Sequence, residues 1–397
     1  MAENKQNKRP NVPPLRFPEF TEPWDRNKLS CFLYENKERN KADFFSKEDV
    51  LSVSGELGIV NQIELLGRSF AGKSVKDYHI VRKGNIVYTK SPLKEFPYGI
   101  IKYNRGVDGI VSTLYAVYHV LDNADGRFIE FYFTDKGRIN RYLKPIVRIG
   151  AKHDMKIGNE EVLDNYVVMP TLVEQDKIAT FIELLDKRIA MQSKLIEDLQ
   201  QLKSALVERL YCQPIPNSRI GDLVDQVSKR NRGDNDYSVL SVNNRLGFIE
   251  QSEQFEDRVV ASDDTSNYKV VSRDDFAYNP ARVNVGSIAR LTSFESGIVS
   301  PMYICFHTKK QLFPQYLEHF FDTRYFHDEM QKRLEGSVRL CLSWEGLCNI
   351  PIAVPPIDQQ EKVGKRISRL ADKISLEERH LDLLKTQKQY LLQAMFI

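Results

Sequence analysis

The chain is written twice. Val50-Leu-Ser-Val-Ser-Gly-Glu-Leu-Gly-Ile-Val-Asn-Gln62 returns as Val239-Leu-Ser-Val-Asn-Asn-Arg-Leu-Gly-Phe-Ile-Glu-Gln251, with seven of thirteen positions identical and an offset of 189 residues. Later landmarks keep their order. Tyr78 and Tyr88 match Tyr268 and Tyr278, Gly109-Ile-Val-Ser112 matches Gly297-Ile-Val-Ser300, and Tyr115 and His119 match Tyr303 and His307. Asp176-Lys177-Ile178 matches Glu361-Lys362-Val363. A period this long is a domain duplication, not a solenoid. A duplicated chain mimics a homodimer and can offer two similar, non-identical surfaces to one pseudo-symmetric partner, of which duplex DNA is the most common.

Each half is long enough to bury a core. Hydrophobic residues make up 42% of the chain, and no apolar run approaches the roughly 18 residues that a membrane span needs. Residues 1–23 are polar and Pro-rich, without the apolar centre of a signal peptide, so the expected setting is the cytoplasm, with no membrane partner. Cys31, Cys212, Cys305, Cys341 and Cys348 form no Cys-x-x-Cys pair; they read as reduced, mostly buried thiols, and no metal site is expected. A net charge of +3 neither supports nor excludes nucleic acid.

Both halves divide in the same way. A first part of about 150 residues mixes short β-type runs, such as Asn85-Ile-Val-Tyr88 and Ile298 to Phe306, with amphipathic helical stretches at Arg127 to Tyr142 and Pro314 to Leu334. This predicts an α+β globule. A Pro-marked boundary follows, and then a long helical pattern.

The helices carry the strongest periodicity. Ile178, Ile182, Leu185, Ile189, Ile196, Leu199, Leu206 and Leu210 follow a 4-3 spacing. Val363, Ile367, Leu370, Ile374, Leu381, Leu384, Leu391 and Met395 repeat it. This is a heptad seam, and its polar breaks coincide: Gln192 with Glu377, Lys203 with Lys388. Two unrelated helices, each packed on its own domain, would also carry apolar stripes, but matched seams with matched breaks argue for helices that pack on each other. Because only residues 212–218 separate the first helix from the second globule, the second helix must run back. The expectation is an antiparallel pair about 54 Å long, holding two globules apart around a pseudo-twofold axis. Pairing of a with d layers predicts Lys203 against Glu377 and Gln192 against Lys388.

Residues suited to nucleic acid lie in the globules. Each begins with a basic loop: Lys37, Arg39 and Lys41 in the first, Lys229, Arg230 and Arg232 in the second. Each has a polar segment after a Tyr-ending strand: Lys90, Ser91 and Lys94 in the first, Arg282, Asn284 and Ser287 in the second. Arg, Asn and Ser on loops are what base-edge and phosphate contacts require. Any one of these charges is also an ordinary solvated surface residue. The repeated Tyr115/Tyr303 and His119/His307 fall on strand patterns and read as core or sheet-face residues.

Gly67-Arg-Ser-Phe-Ala-Gly72-Lys73-Ser74 satisfies the Walker A pattern. Its chemistry needs a strand before it and a helix opening near Lys73. Val75 to Val81 instead looks strand-like and is followed by a turn, and the second half has no counterpart. Asn279-Pro280-Ala281-Arg282 is the nearest approach to a methyltransferase motif. No carboxylate cluster or nucleophile–base pair is evident.

Two variable α+β domains alternate with two heptad helices. Each helix is introduced by a Pro-x-[Ile/Leu]-x-x-Gln-x-Lys-[Ile/Val] segment: Pro170-Thr-Leu-Val-Glu-Gln-Asp-Lys-Ile178 and Pro355-Pro-Ile-Asp-Gln-Gln-Glu-Lys-Val363. This arrangement resembles the DNA-specificity subunit of type I restriction–modification systems. Pro14-Leu-Arg-Phe-Pro-Glu-Phe20 with Trp24 looks like that family's N-terminal arm, and Gly297-Ile-Val-Ser-Pro-Met-Tyr303 and Gly336-Ser-Val-Arg339 resemble segments of its target-recognition domains; Thr113-Leu114 replaces Pro301-Met302 in the first half. The resemblance implies an arm at 1–23, target-recognition domains at 24–169 and 214–354, and spacer helices at 170–213 and 355–397. It implies that each globule reads half of a bipartite, asymmetric site on double-stranded DNA. The helices, through seam residues Ile178, Ile182, Leu185, Ile189, Leu199, Leu206, Val363, Ile367, Leu370, Ile374, Leu384 and Leu391, would pack on each other and dock two methyltransferase subunits, and through them the restriction subunits. The chain would be non-catalytic and hold no cofactor; S-adenosylmethionine, ATP and Mg2+ would belong to its partners. The alternatives are a P-loop nucleotide-binding protein using Gly67–Ser74, or a scaffold joining two protein partners without DNA.

Overall fold

The duplicated Val-Leu-Ser-Val segment carries two β-branched valines, which suit a strand, and it folds as one arm of a hairpin each time. The structure is a computed structural model that describes residues 11–397 except 73, 150–154, 213, 233–236, 245, 255–263 and 337–338. It divides into two units: the first comprises Met1–Met191 with Leu381–Ile397, the second Gln192–His380.

In the first unit, Leu51–Ser54 pairs antiparallel with Gly58–Asn61, and Val50 makes a parallel bridge to Ile110. Gly109–Val111, which carries that Ile110, pairs with His79–Val81. A second sheet has the order Leu33–Glu35, Tyr115–Val120, Ile86–Thr89, Ile101–Tyr103, all antiparallel. In the second unit, Val239–Asn243 pairs antiparallel with Gly247–Glu250 and parallel with Ser296–Val299, which pairs with Lys269–Ser272. The other sheet has the order Val224–Val227, Ile304–Thr308, Phe276–Tyr278, Ile288–Arg290. The strand order is thus the same in both units.

The repeated Gly-Ile-Val-Ser has a steric cause. A Cβ on Gly109 would stand 2.6 Å from the Asp49 carbonyl and 2.8 Å from Leu51 Cγ. One on Gly297 would stand 2.4 Å from Leu240 Cδ1. Each glycine lets its strand close onto the Val-Leu-Ser-Val strand, an approach that any side chain would block.

The helical stretches are shorter than the sequence suggests. Arg127 to Tyr142 is two helices, Gly126–Thr134 and Lys136–Leu143; Asp135 turns extended (ψ 123°) between them and caps the second by accepting from the Arg138 amide at 2.8 Å. Pro314 to Leu334 likewise divides into Pro314–Phe321 and Arg324–Gln331, with the Thr323 hydroxyl capping the second. A short polar side chain that can cap interrupts a continuous apolar period.

Two long helices follow, Leu172–Val207, continued by a π turn to Cys212, and Ile357–Ala394. Their entry explains the repeated Pro-x-x-x-x-Gln. Gln175, fully buried, donates to the Pro170 carbonyl at 2.9 Å and accepts from the Asp125 amide at 2.9 Å. Gln360 donates to the Pro355 carbonyl at 2.8 Å and accepts from the Phe313 amide at 2.8 Å. Asp125 and Phe313 are the N-caps of the helices Gly126–Thr134 and Pro314–Phe321. One amide therefore ties each long helix to the domain helix beside it.

In the first unit, Ile178, Ile182 and Leu185 share a core with Trp24, Phe128, Tyr118, Leu384, Leu391 and Met395, and Ile189 packs against it. The arm lies here: Leu15 donates to the Ala394 carbonyl at 2.9 Å, and Arg16 grips Glu174 through two 2.7 Å bonds. In the second unit, Val207, Tyr211 and Ile367 share a core with Tyr278, Phe306 and Tyr316, with Val363 and Leu210 against it. Ile374 is buried, whereas Leu199, Leu206 and Leu370 are half-buried. Gln192 meets Glu377 at one end of this stretch and Val207 joins the core of Ile367 at the other, so the helices run antiparallel.

The predicted register does not hold. Gln192 bonds to Glu377 at 2.6 Å, Lys203 lies 3.8 Å from Asp322, and Lys388 pairs with Asp186. The lysines are long enough to reach carboxylates beside the seam, which leaves the amide to satisfy Glu377. The thiols also differ from expectation: Cys305 is buried, but Cys31 is exposed and Cys212, Cys341 and Cys348 are half-buried.

Candidate functional site

The second unit holds a cleft of about 780 Å³ where the end of Val239–Asn243 meets the loop 279–287. The loop folds on itself. Asn279 Oδ1 accepts from the Ala281 amide at 3.1 Å, the Arg282 amide donates to the Asn279 carbonyl at 3.0 Å, and the turn Val283–Val285 ends at Gly286 with φ 89°. It is then stitched to the strand. Ser287 Oγ donates to the Val242 carbonyl at 3.2 Å, and Asn244 Nδ2 to the Val285 carbonyl at 3.3 Å. The result is a braced loop that leaves Arg282 and Asn284 exposed at its tip. Arg282, Arg339, Asn243, Asn244, Asn279 and Gln251 line the cleft, together with Ser287. Two guanidiniums and several amides on a concave wall can both donate to and accept from a polar ligand. Gln251 Oε1 is buried there with no hydrogen-bond partner among the described residues.

The structure gathers only some of the sequence candidates here. Arg282 and Ser287 line the cleft, Ser287 with its hydroxyl already bound to backbone, and Asn284 sits beside it on the loop. Lys229, Arg230 and Arg232 do not line it; Arg230 is held by the Asn267 carbonyl at 2.8 Å, and Lys229 and Arg232 are exposed. Sequence reasoning misses Asn243, Asn244, Gln251 and Arg339 as site residues, although Asn243-Asn244 at the hairpin turn and Gln251 just after its second strand fall in the repeated segment and carry the signal.

In the first unit the basic loop is tied to carboxylates. Lys37 pairs with Glu160 at 2.7 Å, Lys41 pairs with Asp77, and Arg39 donates to the Asp77 carbonyl at 3.1 Å. Lys90 donates to Asn159 Oδ1 at 2.7 Å, and burial pushes its ammonium pKa below the ordinary lysine value. Ser91 is half-buried and Lys94 exposed. Gln62, at the position matching Gln251, is satisfied: it donates to Ser52 Oγ at 3.2 Å and accepts from the Phe70 amide at 2.6 Å. His119 stacks on Tyr34 at 4.9 Å, Tyr115 is half-buried, Tyr303 is buried, and His307 is exposed.

The Walker-like loop lacks the required context. Gly67 ends the helix Gln62–Leu66 in the left-handed conformation (φ 74°), and the chain runs on to the strand His79–Val81. The loop thus follows a helix and leads to a strand, the reverse of a phosphate loop. Lys73 lies outside the described residues. Among the described residues no group of three or more His, Cys, Asp or Glu could hold a metal ion, and no helix is long and apolar enough to cross a membrane.

A second apolar stripe lies outside the heptad seam. Phe181, Leu184, Met191, Leu195 and Leu202 run along the first long helix at 3-, 4- and 7-residue spacings, and Leu376, Leu383 and Tyr390 recur every seven residues on the second. All are exposed; Met191 is 73%, Leu383 69% and Tyr390 62% accessible. These side chains lie apart from the seam residues and leave an apolar surface open on each long helix.

No family model matches the sequence, and no curated protein matches it. Solved structures do. The type I restriction–modification S subunit from M. genitalium is similar over 97% of this chain and 99% of its own, at 14% identity and a TM-score of 0.57. A structure describing complex assembly and conformational transition of the type I R-M system is similar over 94% of this chain and 96% of its own, at 13% identity and a TM-score of 0.51. The HsdS subunit from Thermoanaerobacter tengcongensis aligns over 96% and 98% at 14% identity, with a TM-score of 0.49. Over 97% of its length, this chain has the fold of a type I restriction–modification S subunit.

Proposed function

We propose that this chain is the DNA-specificity subunit of a type I restriction–modification system. Two target-recognition domains arising from an internal duplication, residues 24–169 and 214–354, each read one half of a bipartite, asymmetric site on duplex DNA. The segments 170–213 and 355–397 are spacer helices that pack antiparallel and dock two methyltransferase subunits, which in turn recruit the restriction subunits. The chain itself is non-catalytic and works in the cytoplasm; S-adenosylmethionine, ATP and Mg2+ serve its partners.

One observation carries this reading: a globule with the same strand order recurs twice, and each time the same buried glutamine, Gln175 or Gln360, ties it to a long helix. The two units share the scaffold and differ in the loops. Loop 279–287 presents Arg282 at an open cleft, whereas its counterpart holds Lys90 against Asn159. A shared frame with different polar loops suits two different readouts of one ligand. The outward apolar stripes on the long helices suit partner helices.

The test is to exchange residues 24–169 for those of another specificity subunit and to map adenine methylation across a host genome that also expresses the methyltransferase. One half of the methylated motif should change and the other should stay, with half-site centres about 10 bp apart. A change in both halves would refute independent reading. Methylation without sequence preference would favour a scaffold.

A further inference from the structure

Gln62 and Gln251 hold matching positions in the repeated hairpin segment, yet they have opposite fates. Gln62 engages its carbonyl with the Phe70 amide. Gln251 lines the cleft of the second unit with its Oε1 buried and unpartnered among the described residues. A buried carbonyl without a donor is costly, and native structures keep one where a ligand or water completes it. The same cleft is lined by Arg282 and Arg339, which can only donate.

The ligand must therefore offer acceptors and an amino group together. A phosphate offers acceptors alone and leaves Gln251 unanswered. In the major groove, guanine presents O6 and N7 side by side, which a guanidinium takes as a pair, and its cytosine partner presents the N4 amino group. An A·T pair offers an amino group but no two adjacent acceptors for an arginine fork. Resting on the specificity-subunit reading, we propose that this cleft reads one G·C pair, with Arg282 donating to guanine and Gln251 accepting from the amino group of cytosine. Arg282 is the chosen donor because its loop is braced by Ser287, Asn244 and Asn279, and a reading side chain must be held in place.

The experiment uses the full chain assembled with its methyltransferase subunits and a pool of duplexes randomised across the site. The wild-type complex should select a two-part motif with a G·C pair in one half. Arg282→Ala should weaken selection at that one pair by about tenfold and leave the other half-site intact, which also reports that the complex is folded. Gln251→Leu should relax the same pair, Gln251→Glu, which keeps the acceptor, should retain it, and Arg324→Ala, exposed outside the cleft, should change nothing. The proposal is overturned if Arg282→Ala acts at an A·T pair or at none, or if Gln251→Leu acts at a different position from Arg282→Ala. A wild-type complex that selects no motif would instead overturn the specificity-subunit reading, and this inference with it.

Discussion

Gln192 donates from Nε2 to a Glu377 carboxylate oxygen at 2.6 Å and to the Glu377 carbonyl at 3.1 Å, so the matched polar breaks of the two helical seams meet each other. Lys373 and then Gln192 hold the Glu377 carboxyl below its ordinary pKa. A polar pair inside an apolar seam trades stability for register.

That trade is measurable. Gln192→Leu alone should lower the thermal midpoint, because it leaves the carboxylate against an apolar neighbour. Gln192→Leu with Glu377→Leu should restore or exceed the wild-type midpoint while allowing slipped registers. Cysteine pairs at residues 196 and 374 would report slippage through crosslinking yields. If the single variant is as stable as wild type, the pair has no role in the seam.

Acid should loosen the second unit through His319. The imidazole is buried, with its Nε2 2.9 Å from Ser368 Oγ; burial pushes its pKa down to about 4, and the charge of Lys203 adds to the effect. A depressed histidine contributes stability that is complete above the unfolded value of 6.5 and is lost as pH falls through the folded value of about 4. The loss is on the order of 3 kcal/mol at most. Burial raises the nearby carboxyls of Glu318 and Asp322, which titrate in the opposite sense. The comparison of wild type with His319→Gln isolates the histidine: the variant's midpoint should fall less between pH 6.5 and 4. Parallel pH curves would remove His319 from the account.

Much of this architecture is legible in the sequence alone, and the exceptions share a cause. The hairpins at Val50 and Val239, the Gly-Ile-Val-Ser strands and the buried seam at Ile178, Ile182 and Leu185 are local or periodic patterns, which burial enforces. What the sequence hides depends on long-range partners. The roles of Gln175 and Gln360 lie in bonds to Asp125 and Phe313, about fifty residues away in sequence. Heptad counting puts Lys203 in the seam because it ignores Asp322, a residue of the globule. In the cleft, Arg282 and Ser287 stand out by residue type, but Gln251 does not, because an unpartnered carbonyl is a property of the folded surroundings and not of glutamine.

The exposed stripes separate assembly from folding. Met191 and Leu383 are mostly solvent-accessible, so Met191→Glu or Leu383→Glu should shift the chain's own thermal midpoint by less than about 0.5 kcal/mol equivalent. Burial of either glutamate against a partner helix would leave an unpaired charge in an apolar contact. Both variants should therefore lose co-purification with the methyltransferase subunits. Retained assembly would place the docking surface elsewhere.

The two basic loops should contribute unequally to DNA affinity. Each phosphate contact releases counterions and adds about 0.9 to the slope of log affinity against log salt. Lys37 and Lys41 already face Glu160 and Asp77, so removing them also frees a carboxylate and changes the local charge little. Lys229 and Arg232 are exposed, with no ion pair among the described residues. Lys229→Ala with Arg232→Ala should thus reduce the slope of the assembled complex by about two units on any sequence, because phosphate contacts carry no base information. Lys37→Ala with Lys41→Ala should reduce it by less than one. Equal slopes for the two double variants would show that the carboxylate pairs give way to phosphate when DNA binds, and a slope unchanged by Lys229→Ala with Arg232→Ala would assign that loop to the solvated surface.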